Sequence, residues 1–293
     1  MTPLCYLNGA LLPLGEAKVG VLDLGILRGF GIYEGLTSFS GEPFRFDDHW
    51  ERFQRSANTL GLVIPCTKDE ARNAMRTLIG RNTDGTRASL RMLLTGGEAL
   101  GGLEHVPGRE TFFITAAPHA SLPPELYERG ASLITHEYQR FMPEVKSIHY
   151  ITAVMLQEKR KAAGAIEILY TSGDRVLECA TSNVFMVKNG TVITPDVDVL
   201  KGITRKVVLE RAHEAYRTLE QAVPLSAFFD ADEAFITSSF KDIVPIVSVD
   251  GRAIGSGAPG PLTRDLIARF AQYTSTYAAE ASTPSRVHEG VLA

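Results

Sequence analysis

Lys146 stands in the stretch "RFMPEVKSIHYITAVMLQEKRKAAG", residues 140–164, directly ahead of Ser147. Ser147 is a good helix N-cap, Ile148, Ile151, Val154 and Met155 recur at helical spacing, and Gly164 can end the run. The stretch therefore predicts a loop turning into a helix. A cation at that end meets the positive pole of the helix dipole, which lowers its pKa. A lysine amine that is neutral near physiological pH can attack a carbonyl and form a Schiff base. The plain alternative is a solvated loop lysine.

Four other stretches could supply the rest of such a site. Glu178, in "VLECATSNVFMV", closes a strand among Leu177, Cys179 and Ala180. It is either exposed at the strand end or paired, and a protonated ring nitrogen would suit it. Thr181, Ser182 and Asn183 follow as small hydrogen-bonding side chains, or simply as a turn. In "DVLKGITRKVVLERA" a loop with Gly202 enters a helix that Thr204 can cap, so the N–H groups of Ile203 and Thr204 could donate to a phosphate. Ser238 and Ser239, in "FITSSFKDI", add hydroxyls at a strand end. Arg52, in "DDHWERF", shares a helix with Trp50 and Phe53 and could lie against the core and grip a phosphate bidentately. Each stretch alone has an ordinary structural explanation. Together they supply an aldimine lysine, an acid for a pyridine nitrogen and a phosphate cup, which is the parts set for pyridoxal 5′-phosphate.

Composition bounds the rest. The chain has 293 residues, long for one domain, with 44% hydrophobic and 22% charged residues, as in an ordinary globular protein. A net charge of −4 without a basic block argues against nucleic acid and anionic membrane as partners. No apolar run is long enough to span a bilayer, and the N-terminus lacks a basic leader, so the expectation is no membrane association and a cytoplasmic location. Three scattered cysteines and seven histidines without an H-E-x-x-H offer neither a disulfide framework nor a metal site.

The elements that must position these residues alternate. "CYLNGALLPL" reads as a hairpin around Asn8-Gly9, and "GIYEGLTSFSGEPFRF" as another at Ser40-Gly41. "DDHWERFQRSANTLGL" is a helix capped by Asp47 or Asp48, with Trp50, Phe53, Ala57 and Leu60 on one face. "TKDEARNAMRTLIGRN" is a second helix; "RASLRMLLTGG" and "ETFFITAAP" are strands. The prolines of "APHASLPPELYERG" mark a boundary, giving an expected small domain over 1–117, a linker over 118–124 and a larger domain over 125–293. Residues 167–195 read as a meander of short strands. A helix from Ile203, more strands with a turn at Asp250-Gly251, and a closing helix from Pro261 follow, and the tail from Ala279 reads as polar and loose. The class is mixed, α/β or α+β.

With these motifs in this order, the chain resembles the fold-type IV pyridoxal-phosphate enzymes. These comprise branched-chain and D-amino acid aminotransferases, (R)-amine transaminases and aminodeoxychorismate lyase. The resemblance runs from about Leu7 to Val249. It rests on "DLGILRGFGIYEGL", "DDHWERFQRSA", "VKSIHY", "LECATSNVF", "LKGITR" and "ITSS". It implies a small α/β domain, a pseudo-barrel domain and a homodimer whose active sites borrow residues across the interface. It also implies Lys146 as the cofactor-bearing lysine and proton carrier, Glu178 at the pyridine nitrogen, and Tyr150 at the phenolic oxygen. Arg52, Ile203, Thr204, Ser238 and Ser239 would hold the phosphate, with Thr181, Ser182 and Leu200 completing the cofactor's walls.

The departures from the family pattern bear on substrate. Cys179 stands where branched-chain enzymes usually have glycine, and His149 where they have asparagine; His149 reads best as a core histidine. "TSNVF" is closer to the D-amino acid enzymes and the lyase. The better-known D-amino acid enzymes bind the α-carboxylate with an R-x-H pair, yet here that place reads "LLTGGEALGG". Two other arginines are available: Arg91 on the strand leading into it, and Arg28 in the loop before "GFGIYEG", acting across the dimer. Tyr33 would line the same pocket. The expected reaction is amino transfer between a D-amino acid and a 2-oxo acid. The alternatives are an L-branched-chain aminotransferase, with Gly96-Gly97 offering backbone donors, then an (R)-amine transaminase, the lyase, or a cofactor-free binding module on the same fold.

Overall fold

A computed structural model describes residues 2–85, 87–99 and 101–282 of the protein. Asn8 and Gly9 take left-handed backbone, φ 46° and 93°, as a two-residue hairpin turn demands. Strand β1 (Leu4–Leu7) therefore folds back on β2 (Ala10–Pro13). Helix α1 (Leu24–Arg28) is capped by Asp23, whose side chain accepts from Gly25 N. Ser40-Gly41 turns β3 (Gly31–Phe39) into β4 (Glu42–Pro43). Two amphipathic helices follow, α2 (Phe46–Leu60) and α3 (Lys68–Asn82), then β5 (Ala88–Thr95) and β6 (Thr111–Pro118). The six strands form one antiparallel sheet in the order β2-β1-β6-β5-β3-β4.

Strand alternation divides the labour of this sheet. Ile32, Leu36, Leu90, Met92 and Leu94 face a core shared with Trp50, Phe53, Met75 and Leu78 of the two helices. Tyr33, Gly35 and Arg91 alternate with them and line a cavity on the other side. The N-cap of helix α2 lies two or three residues before the expected Asp caps. Arg45 occupies the N-cap in left-handed conformation, φ 50°, and Asp47 and Asp48 fall in the first turn.

The chain beyond Pro118 builds a second sheet. It begins with α4 (Pro124–Glu128) and β7 (Ala131–Glu137), then α5 (Ile151–Met155) and α6 (Gln157–Ala162). Strands β8 (Glu167–Ser172), β9 (Arg175–Cys179), β10 (Asn183–Lys188) and β11 (Thr191–Thr194) lead to α7 (Ile203–His213) and β12 (Arg217–Glu220). Then come β13 (Val223–Pro224), α8 (Leu225–Phe229), β14 (Glu233–Ser238), β15 (Asp242–Val249), β16 (Arg252–Ala253) and α9 (Pro261–Ser282). The order is β12-β11-β10-β14-β15-β7-β8-β9-β13, with β16 on β15. Helices α7 and α9 pack on stacked Phe185 and Phe235.

Several expectations are corrected. The helix predicted from Ser147 begins only at Ile151, with Tyr150 as N-cap, and breaks at Leu156. Its periodic face is not core: Ile151, Val154 and Met155 are 75%, 68% and 76% exposed. The meander is two hairpins, because β9 and β10 are not neighbours in the sheet and are joined by a tight turn closed by Cys179 N donating to Ser182 O. Gly202, not Thr204, caps α7. The tail expected from Ala279 starts inside α9, which runs to Ser282; its remainder lies outside the described residues. No helix among them is long and apolar enough to cross a membrane.

Phe53, fully buried between Trp50 and Phe112, is a keystone of the first sheet. Phe53→Ala should cost about 3–5 kcal/mol, read as a lower urea midpoint with an unchanged slope.

Candidate active site

Lys146 lies in an extended segment, not at a helix end. Its carbonyl accepts from Tyr33 N at 2.9 Å, and its own N–H reaches Ser56 Oγ at 3.3 Å. Two residues on, Ile148 N donates to Gly31 O at 3.2 Å. The segment thus adds a bridge to the edge of β3, Ser147 opposite Ile32. The side chain enters a cavity of about 240 Å³ between the two sheets, with Nζ 4.5 Å from the centre of the Tyr33 ring. Burial lowers the Lys146 pKa, and the guanidinium groups of Arg52 and Arg140 lower it further against Tyr150 and Glu34. The expected direction of the shift holds. Its cause is desolvation and two arginines rather than a helix dipole.

At one end of the cavity the polar groups suit a phosphate. Arg52 is buried, donates to Lys201 O at 3.0 Å and forks onto Glu34 at 2.8 and 2.7 Å. Burial alone would raise the Glu34 pKa, but Arg52 and a bond from His49 outweigh it and hold it at about 2. His49 is pushed below its ordinary value by burial, so its ring is neutral and Nδ1–H donates to Glu34 at 2.7 Å. Ile203 and Thr204 open α7, where the first N–H groups have no helical acceptor. Gly202 permits this approach: a Cβ there would stand 2.1 Å from Asn183 Oδ1, while Asn183 Nδ2 holds Leu200 O at 2.7 Å. Ser238 and Ser239 line the same end, and Ser238 Oγ is buried without a partner among the described residues. A buried hydroxyl left unbonded costs free energy, so this one fits a ligand oxygen.

The opposite wall carries Glu178. It accepts from Arg140 Nε at 2.9 Å and from Leu200 N at 3.1 Å. Burial raises its pKa and Arg140 partly offsets that. Tyr150 and Tyr33 share a hydroxyl–hydroxyl bond of 2.5 Å. Burial raises both phenols. Thr181 and Ser182 also line the cavity, but their hydroxyls are turned to Glu167, which also takes Lys241 Nζ at 2.7 Å. Their hydroxyls therefore brace the wall from within the protein.

One chain thus brings together Lys146, Arg52, Tyr150, Glu178, Thr181, Ser182, Leu200, Ile203, Thr204, Ser238, Ser239, Tyr33 and Arg91 around one cavity. It does not bring Arg28 there. That side chain is exposed at the end of α1 and donates to Leu27 O at 2.8 Å. His149 is not buried in the core; its ring packs on Gly29. Sequence reasoning missed Glu34, His49, Arg140, Glu167 and Lys241. A signal existed for the first two: His49 and Arg52 are three apart on α2 and so share a face, and a strand carboxylate beside them completes the set.

Three comparisons bear on this geometry. The model of the family "Amino-transferase class IV" matches residues 31–249. A putative branched-chain-amino-acid aminotransferase of Methanocaldococcus jannaschii is 36% identical, covering 90% of this chain and 94% of that protein. A D-alanine aminotransferase of Bacillus licheniformis is 33% identical over 88% of this chain and 93% of its own length. Among solved structures, the branched-chain amino acid aminotransferase of Thermobaculum terrenum in its PLP form superposes with a TM-score of 0.82 at 25% identity, covering 94% of this chain and 94% of that one. The chain belongs to the class IV aminotransferases, the fold-type IV enzymes whose cofactor is pyridoxal 5′-phosphate.

Glu34→Gln would leave Arg52 buried without a counter-ion and should destabilise the fold by about 3–5 kcal/mol at pH 7. The folded pKa of Glu34 lies below the ordinary carboxylate value of 4.5, so its contribution is complete above that pH and is lost as pH falls toward about 2. Urea titrations of both proteins from neutral to acid pH should show the gap between them narrowing over that window.

Proposed function

We propose that this aminotransferase moves an amino group between a D-amino acid and a 2-oxo acid, with pyridoxal 5′-phosphate held by Lys146. Arg52, Ser238, Ser239 and the N–H groups of Ile203 and Thr204 would bind the phosphate. Glu178, drawn back toward its ionised form by Arg140, would face the ring nitrogen, and Tyr150 the phenolic oxygen. The cofactor would supply an electron sink for the bonds at the substrate's α-carbon. Lys146, with its amine neutral more often than an exposed lysine's, would carry the proton at that carbon.

The observation that carries the substrate reading is Arg91. Arg91 lines the cavity and, among the described residues, its guanidinium pairs with no carboxylate or carbonyl; it lies over the face of Phe240. An uncompensated cation beside the reacting end suits an α-carboxylate. Arg28 would join it from a second copy of the chain. Ile26, Leu27, Phe141, Ile151, Val154 and Met155 are exposed apolar side chains of the kind a homodimer would cover. The L-branched-chain reading is favoured by the 36% relative. It would need backbone donors for the carboxylate, but Gly96 N donates to Phe30 O and Gly97 N to Thr95 Oγ1.

Mixing purified holoenzyme with D-alanine, D-glutamate and L-leucine in turn, and following the visible band of the bound cofactor, tests the reading. Loss of the band with the D-acids alone is expected; loss with L-leucine alone overturns it in favour of the branched-chain enzyme. Arg91→Ala should raise KM for amino acids by at least ~10-fold while cofactor affinity stays the same. Lys146→Ala and Arg28→Ala chains, co-expressed, should regain activity at low donor concentration that neither has alone, because one site of the mixed dimer is then intact. Activity no greater than the average of the two separate variants would place Arg28 outside the site.

A further inference from the structure

Arg91 is directly opposite Gly35 across the β3–β5 ladder, so both sit on the cavity face of the first sheet. Phe240 fills the space that Gly35 leaves. A Cβ at residue 35 would stand 2.9 and 3.0 Å from two carbons of the Phe240 ring. The Arg91 guanidinium lies over that ring, 5.3 Å from its centre, and His119 stacks on it from another side at 6.5 Å and 30°. His119 is held in turn by Ser89 Oγ at 3.0 Å.

Phe240 comes from the other half of the molecule. It sits in the turn between β14 and β15, directly after Ser238 and Ser239. That turn is anchored to the first sheet by Asp242, which takes both guanidinium nitrogens of Arg87 at 2.9 and 2.7 Å. A flexible arginine without an ion pair would otherwise sample many rotamers. Stacking on a fixed ring removes that freedom while leaving the guanidinium without a protein acceptor among the described residues.

We propose that Phe240 is a positioning residue for substrate: it is the platform that holds the Arg91 guanidinium ready for the α-carboxylate. The inference rests on the carboxylate role given to Arg91 above. It predicts a particular coupling. Loss of the ring face matters only while Arg91 is present, and it affects the carboxylate rather than the cofactor.

The test uses wild-type holoenzyme and the variants Phe240→Leu, Phe240→Tyr, Arg91→Ala and the Phe240→Leu/Arg91→Ala pair. The probe is propionate, an unreactive carboxylate, with its dissociation constant read by calorimetry. KM and kcat are measured alongside with the best amino-acid donor. Phe240→Leu should weaken propionate and raise KM by about 2- to 5-fold, the size of a single cation–π contact, with kcat and pyridoxal-phosphate affinity unchanged. Phe240→Tyr, which keeps the ring face, should bind propionate as the wild type does. In the Arg91→Ala background the Leu substitution should add nothing. Gly35→Ala, which displaces the ring from the opposite side, should reproduce the loss if the Leu variant folds poorly.

Equal losses from Phe240→Leu with and without Arg91 would overturn the proposal, as would a fall in cofactor affinity. If Arg91→Ala alone leaves propionate binding intact, the carboxylate role of Arg91 fails first and this inference falls with it. A normal Arg91→Ala loss beside an unaffected Phe240→Leu removes only the platform.

Discussion

The active-site geometry depends on one buried ion pair. Glu34 is fully buried, and Arg52 nearly so, and they meet through two hydrogen bonds with His49 on the same carboxylate. Three parts of the chain converge there: β3 supplies the carboxylate, α2 the guanidinium and imidazole, and the loop ahead of α7 the carbonyl of Lys201. Burying these charges is costly unless each is answered. The carboxylate answers one unit of positive charge and no more. The pair is therefore neutral as a unit, and the neutral ring of His49 adds a hydrogen bond without adding charge. An anion arriving at the cup would meet a guanidinium whose fork is already oriented.

The same logic repeats along the cavity. Arg140 answers Glu178, and Lys241 answers Glu167. Each cation favours the ionised carboxylate against burial: at Glu167 the lysine and two hydroxyls outweigh burial, whereas at Glu178 Arg140 offsets only part of it. Against this pattern Arg91 is the exception. It is exposed at the mouth and has a ring rather than a carboxylate for company. Lys146 too has no ion pair among the described residues, and burial, with Arg52 and Arg140 nearby, makes its amine easier to deprotonate.

How much was legible in the sequence follows from which forces are local. Asn8-Gly9 and Ser40-Gly41 announce their turns because left-handed backbone is a local demand. The face of Trp50 and Phe53 announces α2 because periodicity is local as well. The motif residues of the site were legible because their order along the chain matches a family. The failures have one physical source, contacts distant in sequence. Ser147 is a capable N-cap, but it pairs with Ile32 of β3, so the segment stays extended and the helix starts later. Ile151, Val154 and Met155 have helical spacing, yet periodicity does not say which side of a helix meets protein. Arg140 shows no pattern at all; only the fold carries it to Glu178. Thr181 and Ser182 line the cavity, but their hydroxyls are engaged by Glu167, a residue no local signal singles out.

The backbone around Lys146 has a mechanical consequence. Its own N–H and C=O are both engaged, one with α2 and one with β3, and Ile148 ties the segment to the same strand. The hinge of any lysine movement therefore cannot be the chain. It must be the side chain's own carbon–carbon torsions, turning about a Cα that stays still. A side chain mounted in this way behaves as an arm on a fixed pivot, whose reach is set by its length and whose arc is set by the walls. Tyr33 stands under that arc, and its ring would act as the stop against which the arm comes to rest.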